Sequence, residues 1–261
     1  MILAVNVGNS IISFGIFDAG SELVSSFDIS CDAKKTSDEY VSVINSIMRD
    51  KGQDTRKIDG AILASVVPQL TDNIKSVLCE LIKKEPIVVG PGVKTGFHIK
   101  IDDPSELGAD MVANTVAAIR MKNSAHGAIV ADFGAVTTVS AIGKSGEYLG
   151  CAIMPGVRLS LDAMYESAVQ LPNVDLSSSA KSIGKNSESS VRAGVLLGNS
   201  FAIDGFVARM SEEMRLDPSE IDLFATGRYA LPILKSCKNK FEYDRYLTLK
   251  GLCHIFLKNC S

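Results

Sequence analysis

Three short stretches carry residue types suited to handling an anionic ligand. The first reads Ile129-Val130-Ala131-Asp132-Phe133-Gly134-Ala135-Val136-Thr137-Thr138-Val139-Ser140-Ala141-Ile142. An apolar run delivers a carboxylate and then a glycine, and a second β-rich run leads back out, which is the pattern of a hairpin. A glycine at that turn lets backbone N–H groups approach an anion, and the Asp132 carboxylate can hold a cation beside it. The same figure occurs at Ile2-Leu3-Ala4-Val5-Asn6-Val7-Gly8-Asn9-Ser10-Ile11-Ile12-Ser13-Phe14-Gly15-Ile16-Phe17, with Asn6 in the place of Asp132 and Gly8 in that of Gly134. One apolar-Asp-x-Gly hairpin means little. Two with the same punctuation point to an internal duplication and to a phosphate-binding cleft between two similar halves. The third stretch, Asp102-Asp103-Pro104-Ser105-Glu106-Leu107-Gly108-Ala109-Asp110, leads into a helix through Val112, Val116 and Ile119. Asp110 sits near that helix's N-terminus, where the macrodipole favours a charged carboxylate; taken alone, it reads as a helix cap.

The elements between these stretches alternate. Residues 2–30 read as a β-meander whose third strand runs from Glu22 to Ile29. Thr36-Ser37-Asp38-Glu39 starts a helix, with Thr36 or Ser37 as cap, and Tyr40, Val43, Ile44 and Ile47 give it an apolar face. Ile58 to Pro68 holds a buried strand; a helix from Leu70 to Lys84 and a short strand at Ile87-Val88-Val89 follow. Tyr148 to Gly156 is a strand closed by a Pro-Gly turn. Ser160 to Ala168 reads as helical, and Ser177-Ser178-Ser179 as a mobile surface loop. A long helix spans about 189–214 and contains Gly194, Gly198 and Gly205, which close helix–helix or helix–sheet approach explains. Ile221 to Arg228 is a strand ending in a Thr-Gly turn, and the segment from Tyr246 is expected to pack against the second half. Strands alternating with helices after a meander indicate an α/β layered fold. The halves are expected at 1–115 and 116–261.

Composition narrows the partners. A net charge of −3 with 22% charged residues offers no basic stripe, so nucleic acid is not expected as a partner. No apolar run reaches the roughly 18 residues of a membrane span, and the N-terminus lacks the basic and apolar regions of a signal peptide. The six cysteines (31, 79, 151, 237, 253, 260) form no C-x-x-C pair and are expected as free thiols in a reducing cytoplasm. The three histidines (98, 126, 254) lack metal-ligand spacing. Gly90-Pro91-Gly92-Val93-Lys94-Thr95-Gly96 is a turn-rich loop without the Walker A order.

Taken together, the ordered blocks resemble the type III pantothenate kinases, members of the actin-like/sugar-kinase ATPase superfamily. The blocks are Asn6-Val7-Gly8-Asn9-Ser10, Gly90 to Gly96, Gly108-Ala109-Asp110, Asp132-Phe133-Gly134, Gly150-x-x-Ile153-x-Pro155-Gly156, Leu171-Pro172 and Ile183-Gly184-Lys185-Asn186. The resemblance covers nearly the whole chain, from Ile2 to about Leu252. It implies a duplicated ribonuclease-H-like fold, with two similar βα halves whose mixed sheets are flanked by helices, in a homodimer. It also implies ATP-dependent phosphorylation of pantothenate, the first step of coenzyme A biosynthesis, with Mg²⁺ and a monovalent cation (K⁺ or NH₄⁺).

Carried over position by position, Asn6, Val7, Gly8, Asn9, Ser10, Ile11, Ile12 and Ser13 hold the ATP phosphates, together with Gly134 and Ala135. Asp110 is the general base toward the substrate's primary hydroxyl, and Asp132 binds the monovalent cation. Ile101, Gly108, Ala109, Asp110, Met111 and Ser187 line the pantothenate pocket. The chain departs from the family pattern at six of these or neighbouring positions. Asn6 stands where the family has Asp, and Met111 where it has Arg, removing a guanidinium suited to the pantothenate carboxylate. Ile101 replaces an aromatic, Ala135 and Ser187 replace Thr, and Arg228 replaces Gly. Two outcomes fit this pattern: a working kinase with compensating residues, or a weakly active or inactive homologue with a nucleotide-binding or regulatory role.

Overall fold

The apolar runs at 2–7 and 127–133 become the central strands of two sheets in the computed structural model, which describes residues 1–167, 172 and 174–260. Strand β1 (Ile2–Val7) pairs antiparallel with β2 (Ile11–Phe17), which pairs antiparallel with β3 (Leu23–Ser30). On its other edge β1 runs parallel to β4 (Gly60–Ser65), and β4 parallel to β5 (Ile87–Val88), giving the order β3-β2-β1-β4-β5. The second sheet repeats that plan strand for strand. β6 (Gly127–Phe133) pairs antiparallel with β7 (Val136–Ile142), and β7 with β8 (Tyr148–Pro155). The parallel edge holds β9 (Ile221–Thr226) and β10 (Glu242–Tyr243). Both the sheet order and the sense of every pairing recur, so the duplicated ribonuclease-H-like fold is present.

The chain divides into two compact units. One comprises residues 1–97, 102–120 and 246–261, the other 98–101 and 121–245. In the first, alternation along β1 sends Leu3, Val5 and Val7 to one face and Ile2 and Ala4 to the other. The first face is covered by α1 (Ser37–Asp50) and α2 (Pro68–Ile82) through Tyr40, Ile44, Met48, Ile74 and Leu78. Helix α1 starts where its sequence says it should. Thr36 accepts from the Glu39 N–H and Glu39 returns a bond to the Thr36 N–H, a complete capping box. Helix α2 begins at Pro68, two residues before the expected Leu70, because proline at the first helical position loses no bond.

The opposite face is covered by α3 (Ala109–Met121) through Val112, Ala113 and Val116, and by the last helix of the chain. That helix overturns one expectation: the segment from Tyr246 packs in the first unit, not against the second half. Its residues 247–260 present Leu249, Leu252 and Ile255 to Ile2, Ala4 and Ile62. Thr248 donates to Asn114 Oδ1 at 2.7 Å, and the Asn259 amide pairs with both the N–H and the C=O of Lys94. Three-to-four spacing of the apolar residues is what a bare sheet face requires, and α1 and α2 leave that face uncovered.

In the second unit, Ile129, Ala131 and Phe133 of β6 form a core with α4 (Val157–Ser167), α5 (Ser187–Met214) and α6 (Ala230–Leu234). Helix α4 begins at Val157, earlier than Ser160; the expected end at Ala168 lies outside the described residues, as does Leu171. Helix α5 is long and apolar enough to cross a membrane by length and composition. Its Val191, Val195, Leu196, Ile203 and Val207 are instead buried in the unit's core. Among the described residues a Cβ added at Gly194, Gly198 or Gly205 would meet nothing within 4 Å, so the expected close approach is not made by them. The closing helix, numbered α7 (Leu247–Cys260), does make such an approach: a Cβ at Gly251 would lie 1.9 Å from the Ala113 carbonyl oxygen. Gly251→Ala should therefore force α7 off α3 and destabilise the chain by about 1–3 kcal/mol in urea unfolding. A change under about 0.5 kcal/mol would show that the two helices separate freely.

Candidate functional site

Both central strands end on a polar residue. Burial along β1 is broken only at Asn6 and along β6 only at Asp132, each one residue before the strand's end. Period-two alternation puts Asn6 on the face that carries Ile2 and Ala4, which is the face covered by α3. Asn6 is flanked in register by Ser13 on β2 and Ala64 on β4, and Asp132 by Thr138 on β7 and Thr226 on β9. Thr138 and Thr226 are buried hydroxyl residues that the sequence reading did not single out. The Thr-Thr pair and the Thr-Gly turn were the available signal.

In the first unit, the turn after Val7 is closed by the Gly8 N–H donating to the Ile11 carbonyl at 2.9 Å. That N–H is spent within the turn, and Asn9 and Ser10 form its exposed part. Gly8 and Gly134 are both absent from the glycines with positive φ. Their contribution is space: a Cβ at Gly8 would stand 3.2 Å from the Ile11 carbonyl oxygen, and one at Gly134 3.4 Å from Asp132 Oδ1. Ile11 and Ser13 are half-buried at the start of β2 and Ile12 is fully buried. Among the described residues nothing donates to Asn6 Oδ1, which is buried. An acceptor in that state costs on the order of 1–3 kcal/mol.

The Val66 N–H donates to the Val7 carbonyl at 3.0 Å, and the Val66 side chain reaches the space beside Gly108. Gly108, Ala109, Asp110 and Met111 form the start of α3 in this same unit. The Asp110 carboxylate folds back over Gly108, where a Cβ would lie 2.7 Å from its Oδ1 and 3.4 Å from Met111 Cε. The Met111 N–H donates to Asp110 Oδ1 at 2.8 Å. Burial pushes the Asp110 carboxyl above the ordinary aspartate value, while the N–H groups of Met111 and Asp110 pull the other way. The helix start thus both caps and desolvates one carboxylate.

In the second unit three turns converge on Asp132. A Cβ at Gly156 would fall 2.1 Å from the Ala135 carbonyl oxygen, and Gly227, at φ +96°, abuts the Phe133 backbone. Gly134, exposed Ala135 and exposed Arg228 are therefore held by glycine-permitted backbone contact. Ser187 is the exposed first residue of α5, which Asn186 caps by accepting from the Ser189 N–H at 2.8 Å. Ile101 is half-buried and belongs to the second unit; the preceding Lys100 N–H donates to the Tyr148 carbonyl. The structure thus groups Asn6 to Ser13 with Gly108 to Met111 in one unit, and Ile101, Asp132, Gly134, Ala135 and Ser187 in the other.

Two sheets of one repeated topology, each with a polar turn at the carboxyl end of its central strand, define the actin-like ATPase and sugar-kinase class. The activator of 2-hydroxyisocaproyl-CoA dehydratase from Clostridium difficile, solved with bound ADPNP, has this fold. It matches with a TM-score of 0.56 at 9% identity, over 99% of this chain and 95% of that one. A structure from Campylobacter jejuni, described as a conserved Baf family transcriptional activator, matches with a TM-score of 0.62 at 19% identity, over 99% and 98% of the two chains. Within the class, the family model described as type III pantothenate kinase matches residues 2–209. A type III pantothenate kinase of Geotalea daltonii is 39% identical over 259 residues, 99% of each chain. The chain belongs to the type III pantothenate kinase family.

The Asp110 environment has a thermodynamic consequence. Its folded-state pKa is raised, so the stability it contributes is fully present below the unfolded pKa and is lost as pH rises through the folded value. Above the folded value the carboxylate is ionised in both states and its desolvation is a net cost. Asp110→Asn should therefore melt at a higher temperature than wild type in alkaline solution, with the gap closing as pH falls toward the ordinary aspartate value. A variant less stable than wild type there would mean that the helix-end hydrogen bonds outweigh burial.

Proposed function

We propose that the chain transfers the γ-phosphoryl group of ATP to the primary hydroxyl of pantothenate, giving 4′-phosphopantothenate in the first step of coenzyme A biosynthesis. The family match over residues 2–209 carries this reading. Asp110 supplies the mechanism: a desolvated carboxylate with a raised pKa is the more basic acceptor for a hydroxyl proton as oxygen attacks phosphorus. Gly108 and Met111 lie against that carboxylate in the first unit, and the family resemblance assigns Ile101 and Ser187 of the second unit to the acceptor as well. The family resemblance assigns the phosphates to the turn from Asn6 to Ser13 in the first unit and to the Gly134-Ala135 turn in the second, and positioning and charge neutralisation outweigh covalent chemistry in such a transfer.

Among the described residues no group of three or more His, Cys, Asp or Glu is placed to hold a metal ion. When bound, Mg²⁺ would neutralise phosphate charge; the Asn6 carbonyl and the Asp110 carboxylate are the oxygens the first unit offers it. The carboxylate of Asp132 would hold K⁺ or NH₄⁺. We place the protein in the cytoplasm, with no nucleic acid or membrane as partner, and read the 115/116 boundary as the seam of the ancestral duplication.

A second reading, a slow or inactive homologue that binds nucleotide, draws support from neutral Asn6 and from the Met111 thioether beside Asp110. A coupled assay with ATP and pantothenate, run in K⁺ and in Na⁺, separates the two. Under the kinase reading, Asp110→Asn should lower kcat roughly 10²–10⁴-fold and leave ATP binding nearly intact. An unchanged kcat would reduce Asp110 to a helix cap.

We also propose a homodimer. Gly194, Gly198 and Gly205 open onto free space, and Ile183 and Phe201 are 79% and 58% exposed in the same unit. Exposed apolar side chains beside small residues suit a helix that meets a second copy. Sedimentation at micromolar concentration should give twice the chain mass; a monomer would sink this.

A further inference from the structure

We propose that Thr248, on the last helix of the chain, is a positioning residue: its bond to Asn114 fixes α3 along its axis and so holds the Asp110 carboxylate in place. The kinetic consequence of this role rests on the kinase reading above; the placement of Asp110 does not.

α3 and α7 lie side by side on one face of the first sheet, and two contacts at one level join them. A Cβ at Gly251 would stand 1.9 Å from the Ala113 carbonyl oxygen, so the two backbones meet directly. One turn earlier on α7, the Thr248 hydroxyl donates to Asn114 Oδ1 at 2.7 Å. Ala113 and Asn114 are consecutive on α3, and both are buried. The backbone contact sets how closely the helices approach, and the hydrogen bond sets their register. The apolar contacts of Val112, Ala113 and Val116 supply adhesion without direction, whereas a hydrogen bond weakens steeply when its partners slide. A threonine hydroxyl in the first turn of a helix ordinarily serves nearby backbone groups. Thr248 gives its proton to a side chain on another helix.

α7 is the anchored member of the pair. Its Leu249, Leu252 and Ile255 pack on Ile2, Ala4 and Ile62, and Asn259 at its far end holds both the N–H and the C=O of Lys94. α3 carries the group that must be placed. Asp110 precedes Asn114 by four residues on the same helix face, about 6 Å along the axis at 1.5 Å per residue. A helix moves as a rod over that distance, so a slip at Asn114 becomes an equal slip at Asp110. The carboxylate is sensitive to such a slip because burial raises its pKa against the pull of the Met111 and Asp110 N–H groups.

The test uses the full chain. Thr248→Val keeps the volume and removes the hydroxyl, and Thr248→Ser keeps the hydroxyl. With ATP and pantothenate, Thr248→Val should lower kcat roughly 10–10²-fold, the cost of misplacing a catalytic group by about 1 Å, and leave the KM for ATP within about twofold. Thr248→Ser should recover most of the loss. The acid limb of the kcat/KM profile should move to lower pH in Thr248→Val, because a carboxylate set less deeply regains solvent. Carbon NMR of the aspartate-labelled protein reads the same shift without turnover, with Asp110→Asn identifying the resonance. Circular dichroism checks folding. If Thr248→Val does not fold, Gly251→Ala disturbs the same contact from the backbone side and should give the same signature. An Asp110 titration at the wild-type value in Thr248→Val overturns the proposal, whether or not turnover falls. So does a loss that Thr248→Ser fails to restore, or one that appears equally in the KM for ATP. A wild type that phosphorylates nothing ends the kinase reading, and the Asp110 titration then decides this one alone.

Discussion

A strand buried on both faces accommodates a polar side chain at least cost where the strand ends, beside a turn. β1 and β6 are such strands, and each concentrates its polarity at the residue before its last, beside the turn. Every other feature follows from that constraint. The helices that seal the two faces drive the polar end toward the carboxyl edge of the sheet. The glycine that follows opens the space, and the neighbouring parallel strand ends in its own turn at the same level. In the second unit this is literal, since Gly156 and Gly227 let two other turns touch the backbone of Phe133 to Ala135. Chemistry collects at sheet edges in such folds because the interior admits nothing else.

Much of this architecture was legible in the residues. The hairpins at 2–17 and 129–142, the capped start of α1 and the recurrence of one motif all depend on local periodicity and turn chemistry, and all form as written. What escaped the sequence was tertiary. Nothing in the string Leu249, Leu252, Ile255 says which sheet it will cover; that depends on which face other helices leave bare. The glycines of α5 suggested close packing, but among the described residues they face open space. At the site, residue types and order marked the Asn6 turn, Asp110 and Asp132. The stranded Asn6 oxygen and the fold-back of Asp110 over Gly108 could not be read without coordinates, because both are matters of a few ångströms.

Asp110 shows how function and stability pull apart at such an edge. The helix start supplies N–H donors that favour the charged form, and the surrounding Gly108, Val66 and Met111 remove the water that would favour it more. The balance lies with desolvation. A carboxylate held there is less comfortable than one in solvent and correspondingly more willing to take a proton. Under the proposed kinase role, the same turn would carry a small thermodynamic load for a chemical return.

The first unit is assembled from pieces far apart in the chain: residues 1–97 and 102–120 are completed by α7, and residues 121–245 fold as another unit in between. In effect the second unit is a long insertion in a connection from α3 to α7. Closing so long a loop is entropically slow, though the penalty grows only logarithmically with its length. Without α7 the apolar face of Ile2, Ala4 and Ile62 would be covered by α3 alone. The contacts of α7 with β1 and α3 are therefore the longest-range contacts of the first unit, the kind that topology makes slow to form. A duplicated fold can look symmetric in space and still be strongly asymmetric in the order of its assembly.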